Sequence, residues 1–336
     1  MKVIYDSKCF PSHDTMNYII DWSKFESDAR TQNLDLYFGV NFDVSQLNND
    51  KVNVYHCVEH PGAWIIGRSP GMHAAAQKDH EENFDYLLTN SKITEKFHSE
   101  YQYAPYHGFD YQTIYEKFGI DKIDDVEKDI DVYMCTTANP NRTNDFAENP
   151  GERYPAMGWY EVMKKFNHRF CNSAVRELFK SWDEKTLLNF RSKISIVFAV
   201  NQGSTAAGRR YAANHYPWLK FDSGPGHKPC YPQIKARIFD AVMSKSIMLC
   251  YKDPFVDMED PYKSPIEHYF TRDEDFIYFE DSIDLENKIK EILDDYENPK
   301  YKKMVDNAHD KIMKNFNIDA WYEKYIVPLA KKGKAK

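Results

Sequence analysis

Six cysteines in 336 residues, Cys9, Cys57, Cys135, Cys171, Cys230 and Cys250, stand far apart and form no C-x-x-C pair. That spacing excludes a disulfide frame or a zinc ribbon and reads as the reduced, buried thiols of a cytosolic protein. No apolar run is long enough to cross a bilayer, and Met1-Lys2 does not open a signal peptide, so a cytoplasmic location is expected. A basic excess is missing too: the formal charge is -8, which argues against a nucleic-acid backbone as the main partner and leaves only a local basic groove open. The glycines of Gln202-Gly-Ser-Thr-Ala-Ala-Gly-Arg-Arg210 fit neither a Walker loop nor G-x-G-x-x-G, which removes support for a P-loop ATPase or a dinucleotide enzyme. What is abundant is aromatic: 15% of residues, enough to exclude disorder despite a mean hydropathy of -0.71.

The length suits two ordinary domains with large cores. Lys2-Val-Ile-Tyr5, Leu34 to Val40, Lys51 to Val58 and Phe84 to Ser91 read as strands, with helical periodicity over Met16 to Phe25. Strands separated by helices imply a parallel sheet, whose ligands sit beyond the carboxyl ends of the strands. Two loops follow from that rule. One holds Glu59-His-Pro-Gly-Ala-Trp64 and Gly67 to Gly71; the other joins Asn90-Ser91 with Tyr106-His107-Gly108. His60 has the chemistry of a general base, and Glu59 beside it can share that work; a structural loop histidine is the plain alternative. The charged stretch Asp121 to Asp129 suits an interdomain connection, after which Ile130 to Cys135 starts a second strand series.

The chain is organised around one stretch in this second series. From Gln233 to Ser244 the residues Ile234, Ile238, Ala241 and Val242 recur at helical spacing, with the start placed just after Pro232, and Ile247-Met-Leu-Cys-Tyr251 reads as a buried strand. The other helix face carries Lys235, Arg237 and Asp240. Two cations and a carboxylate beside the end of a parallel strand suit a phosphorylated ribonucleotide, the cations for the diphosphate and the carboxylate for ribose hydroxyls. An ordinary solvated helix face is the competing reading.

Ile234 to Leu249 resembles the donor-domain segment of GT-B glycosyltransferases, those of the group 1, family 4 type, in which an acidic residue precedes a small-residue turn and a strand. The resemblance implies that Asp240 holds the donor ribose, with Lys235 or Arg237 near the phosphates. Asp240 stands where the family usually has Glu, and Ser244-Lys245 where it has Gly. By the same resemblance Arg142, in the exit loop of the second series' first strand, is a donor or phosphate contact. From its own residues Gln202 to Arg210 is a candidate phosphate-cradling loop, with Arg209 or Arg210 adding charge; a flexible loop without a ligand is the equal alternative. Asp273-Glu-Asp275 is an Asp-x-Asp, but it lies too late in the chain for the metal-binding motif of single-domain glycosyltransferases, so no metal site is expected. Phe276 to Asp281 and the amphipathic helices after it resemble the GT-B ending, whose last helix returns to brace the first domain, here through Trp321, Tyr322, Tyr325 and Ile326.

The expected architecture is α/β, two Rossmann-like domains facing across a cleft: an acceptor domain over 1–120, a nucleotide-sugar donor domain over 121–316, and a returning helix with a basic tail over 317–336. The expected activity is hexosyl or pentosyl transfer from a nucleotide sugar to a glycan or other hydroxyl acceptor, without an obligatory metal. Three alternatives stay open: a nucleotide-sugar epimerase, a non-catalytic nucleotide- or carbohydrate-binding protein, and a glycosyltransferase acting on modified nucleobases through His168 to Lys180.

Overall fold

Short runs of leucine, β-branched and aromatic residues build the first sheet. The strands β1 (Lys2–Tyr5), β2 (Leu34–Phe38), β3 (Val52–Cys57), β4 (Tyr86–Thr89) and β5 (Tyr101–Tyr103) pair in that order, all parallel. The computed structural model describes residues 1–5, 20–38, 44–57, 78–136, 156–172, 182–202, 220–221, 229–232, 234–253 and 255–335. β2 and β3 are buried at every position, as strands covered on both faces must be. Their alternation divides the cover: Leu34, Leu36, Phe38, Val52 and Val54 share one core cluster, while Tyr37 and Tyr55 meet Phe84. The short helices α1 (Ser23–Glu26), α2 (Lys92–Phe97) and α3 (Tyr111–Lys117) belong to this half of the chain. Ser91 caps α2 by accepting from the Thr94 amide at 3.2 Å.

The second sheet has β6 (Ile130–Thr136), β7 (His168–Asn172), β8 (Ser192–Val197), β12 (Ile247–Tyr251) and β13 (Ile277–Phe279), also all parallel, in the order β13-β12-β8-β6-β7. Among the described residues β7 is therefore an edge strand, and it covers His168 to Asn172, part of the stretch set aside for nucleic-acid contact. The helices α4 (Ala156–Met163), α7 (Ser282–Asp294) and α8 (Pro299–Asn315) bury Trp159, Val162, Leu285, Ile289 and Met304 against Val132, Met134, Ile194 and Leu249. On the opposite face α6 (Ala236–Met243) packs Ile238, Phe239 and Val242 with Met248 and Cys250. The neighbouring helix is α5 (Trp182–Phe190). Residues 106–118 pack into that same cluster, and the Tyr115 hydroxyl donates to the Met243 carbonyl at 2.6 Å.

The organising helix differs from expectation at its start. It begins at Ala236, with Lys235 at the N-cap, because Pro229–Pro232 forms β11, paired antiparallel with β9 (Val200–Gln202) and β10 (Lys220–Phe221). Its end explains the absent glycine. The Ser246 amide donates to the Ala241 carbonyl at 3.1 Å and the Lys245 amide to Val242 at 3.0 Å, a Schellman closure that needs a left-handed residue at Lys245 (φ 49). A side chain there costs about 1 kcal/mol relative to glycine. The lysine is retained in a position where its ammonium bridges Asp124 (2.9 Å) and Asp306 (2.7 Å), tying the connecting segment to α8.

After α8 the chain crosses to the first sheet. Gly108 sits at φ 67 against this crossing, and a Cβ there would stand 1.7 Å from the Phe316 carbonyl oxygen. Beyond it, α9 (Ile318–Trp321), a π-helical turn (Tyr322–Ile326) and α10 (Val327–Lys332) bury Ile318, Trp321, Tyr322, Ile326 and Leu329 on the Leu34, Leu36 and Val54 face. The Tyr322 and Thr31 hydroxyls are hydrogen-bonded at 2.7 Å. The crossing is thus fixed by a glycine, an aromatic face and a buried hydroxyl pair.

Candidate active site

Strand order locates the site before any side chain does. In the first sheet the order follows the chain, so no neighbouring pair marks a reversal. In the second, β6 is the first strand, and the chain turns to β7 on one side and to β8, β12 and β13 on the other. Crossovers leave in opposite directions from the β6/β8 boundary, and the crevice beyond the carboxyl ends at such a switch point is where α/β sheets bind ligands.

Three charged side chains converge there. Arg237, in the first turn of α6, lies over the ring of Phe198, the residue that follows β8, with its guanidinium carbon 4.4 Å from the centroid. Asp240, one turn on, accepts from the Lys185 ammonium of α5 at 2.8 Å. Neither partner is solvated: the side chains are 11% and 14% exposed, which removes the ordinary-surface reading for Asp240. Burial opposes charge on Lys185, but Asp240 and the nearby Cys135 thiol outweigh it and hold the pKa above the ordinary lysine value, while Arg237 pulls the other way. Lys185 therefore keeps its charge at neutral pH. Around it, Tyr133 and Cys135 rise from β6 and Cys171 from β7, and burial, with the thiols and Asp240 adding to it, drives the Tyr133 phenol well above its usual range.

α6 contributes more than side chains. Lys235 at the N-cap supplies no side-chain cap, so a cation stands where an acceptor is usual, at the positive end of the helix dipole. An anionic group is the natural complement of such an end. Lys185 was missed from sequence because it lies 55 positions from Asp240 and no local spacing connects the two.

The remaining sequence candidates divide. Glu59, His60, Arg142 and Arg209 lie outside the described residues, as do the loops that hold them. His107 does not open to solvent: it is fully buried, its Nδ1–H donates to the Gly108 carbonyl at 2.7 Å, and its ring packs among Trp22, Phe38, His56 and Trp321. His107 is therefore a core residue. Asp273-Glu-Asp275 is a turn in which the Asp275 carboxylate accepts from the Thr271 amide at 2.6 Å and from Lys311. Among the described residues no group of three His, Cys, Asp or Glu is placed to hold a metal ion. A cavity of about 510 Å³ opens at the opposite, amino end of the second sheet between Lys128, Lys193, Lys245, Tyr296 and Lys302. There the Lys128 ammonium donates to the Phe190 carbonyl at 2.6 Å and to that of Ser244, at the ends of α5 and α6. Lys128 thus answers two helix C-termini, while Lys193 pairs with Asp131 at 2.9 Å and Lys245 with Asp124 and Asp306, all away from the switch point.

No protein-family model matches the chain, and no curated protein sequence does. Solved structures do. Anabaena HepE in complex with UDP and glucose aligns over 98% of this chain and 100% of its own, with a TM-score of 0.54 at 9% identity. HepE with UDP-glucose covers 99% of both chains at a TM-score of 0.53 and 9% identity. HepE with UDP covers 98% and 100% at 0.51, again at 9%. At such identity the likeness establishes the fold: two Rossmann-like α/β domains in the GT-B arrangement.

Proposed function

We propose that the chain is a glycosyltransferase that binds a nucleotide-sugar donor at the carboxyl end of its second sheet and transfers the sugar to a hydroxyl acceptor. The observation that carries this is the Lys185–Asp240–Arg237 group beside the β6/β8 switch point, a carboxylate flanked by two cations. HepE, of the same fold, holds UDP, UDP-glucose, and UDP with glucose, which favours a uridine nucleotide as the first donor to test.

In this reading the diphosphate lies against the first turn of α6, drawn by the helix dipole and by Arg237 and Lys235. Asp240 accepts a hydrogen bond from a ribose hydroxyl through the oxygen that Lys185 leaves, and Lys185, at 2.8 Å, orients that carboxylate. Fixed cations stabilise the leaving diphosphate as charge develops on it, which is the role a divalent metal plays in other transferases. The reading therefore includes metal-independent turnover. Residues 1–120 carry the acceptor, 121–316 the donor, and 317–336 tie the two together; Glu59 and His60 are the base candidates for an inverting reaction, and Arg142 and Arg209 are further phosphate contacts.

The test is a thermal-stability panel of nucleoside diphosphates and nucleotide sugars, with and without a divalent metal, followed by product analysis with the best donor. A ligand that binds only the folded state raises the midpoint. A selective shift that is independent of metal and lost in Arg237→Ala supports the donor site. No shift with any nucleotide overturns it.

A further inference from the structure

Two thiols that this chemistry does not use share the face of the second sheet that carries the charged group. β6 and β7 pair in parallel with Cys135 directly opposite Cys171. Directly paired residues of a parallel ladder project to the same face, from strands about 4.8 Å apart. That lies inside the range of Cα separations, about 4.4 to 6.8 Å, that a disulfide spans. Both cysteines are free thiols, Cys135 half-buried and Cys171 buried. Among the described residues β7 is an edge strand paired with β6 only, so it has room to shift by the roughly 1 Å that separates the strand spacing from the Cβ separation of a disulfide, about 3.8 Å.

The two thiols are not equivalent. Cys171 is pushed up to about 12 by burial first and by the Cys135 sulfur second, so it is a poor attacking group. Cys135 is the more accessible, and it lies close enough to Lys185 to act on that ammonium's ionisation. A thiol that solvent reaches meets a dissolved oxidant before a buried one does. One thiol is thus placed to react and the other to resolve.

We propose that Cys135 and Cys171 are a redox-active pair, converted by hydrogen peroxide to a reversible disulfide that disturbs the Lys185–Asp240 pair beside it. The Cys135 thiolate attacks one peroxide oxygen; the S–O bond forms, the O–O bond breaks, and hydroxide leaves and takes a proton to become water. The Cys171 sulfur then displaces the hydroxyl of the sulfenic acid; the S–S bond forms, the S–O bond breaks, and the Cys171 proton leaves with the hydroxide as a second water. Two thiols and one peroxide give one disulfide and two waters, with both electrons passing to the peroxide. The regulatory half of the proposal rests on the donor-site reading above; formation of the disulfide does not.

The experiment treats the full chain with hydrogen peroxide, blocks the remaining thiols by alkylation, and maps cross-linked peptides by mass spectrometry. The expected result is a Cys135–Cys171 peptide pair that a dithiol reductant reverses, absent in Cys135→Ser. In Cys171→Ser the reaction stops at a Cys135 sulfenic acid that dimedone traps. Recovery of both cysteines alkylated after oxidation, or linkage of Cys135 to another cysteine, overturns the proposal. The stabilisation produced by UDP is then compared before and after oxidation. At least a several-fold weakening of the UDP response, restored by reductant, supports regulation, whereas an intact response in cross-linked protein overturns that half. If reduced protein shows no UDP response, the donor reading fails while the peptide map still decides the disulfide.

Discussion

Removing the Asp240 carboxylate leaves the Lys185 ammonium in a site where burial already works against its charge. Breaking one side of a buried pair costs about 3–5 kcal/mol in general; with the side chains still 11% and 14% exposed, the lower end, about 3 kcal/mol, is expected for Asp240→Ala. Lys185→Met leaves the carboxylate buried and costs a similar amount. In Lys185→Met/Asp240→Leu both charges are gone and apolar volume replaces them, so the loss shrinks to about 1 kcal/mol. The cycle then yields a coupling of several kcal/mol, well outside the additivity of independent sites. The assay is urea unfolding of all four proteins, read from the midpoints with the slope m unchanged. The double variant also separates two roles: it is nearly as stable as the parent, yet it has no carboxylate for a ribose and binds no donor. Single variants that each cost under about 1 kcal/mol and simply add would refute the reasoning, because the two groups would then be solvated and independent.

Three further outcomes follow from the packing. Gly108→Ala places a methyl on the Phe316 carbonyl at a left-handed φ, so a loss of about 3 kcal/mol or more is expected in thermal unfolding, and a loss below about 0.5 kcal/mol would contradict the described crossing. Trp321→Ala empties the centre of the contact between the crossing helices and the first sheet; about 3–5 kcal/mol should be lost, with faster hydrogen exchange across residues 318–332 as its signature. His56 and His107 are held neutral, His107 down to about 4 by burial despite its bond to Gly108, and His56 well below the ordinary value by burial and by His107. The unfolded chain protonates near pH 6.5, so from there down to about 4 it binds more protons than the fold, and each histidine removes up to about 1.4 kcal/mol of stability per pH unit. Asp253, raised to about 7 mainly by burial, works in the opposite sense, so the comparison is between parent and His56→Phe: the variant's acid-side decline is shallower, and parallel curves would refute the assignment.

Much of the second half was legible because its signals are local. The run Ile247 to Tyr251 is a strand with the expected ends, since an unbroken apolar run before a charged exit has few other folds. The amphipathic pattern after Asp281 gave α7 and α8 to within a few residues, helped by an aspartate cap and by Pro299 in the first turn. What stayed hidden depends on contacts distant in sequence. Pro229–Pro232 looked like a helix approach, and only its pairing with Val200–Gln202 makes it a strand. His107 looked like part of a ligand-facing loop, and only contacts such as Trp321, more than two hundred positions on, show it to be core. Asp240 was singled out by its spacing from Arg237; Lys185, its ion-pair partner, has no sequence signal linking it to that position. The glycine missing at Lys245 was visible, whereas its replacement by a strained lysine with two carboxylate partners was not.

Hydrogen exchange with and without saturating UDP tests most directly whether a nucleotide occupies the switch point of the second sheet. The account predicts slowed exchange over residues 236–240 of α6 and at the exit of β8 around Phe198, with no added protection in the first sheet's strands, and loss of that pattern in Arg237→Ala. Protection confined to the first sheet, or none at any UDP concentration that stabilises the protein, would contradict the placement of the donor beside Lys185, Arg237 and Asp240.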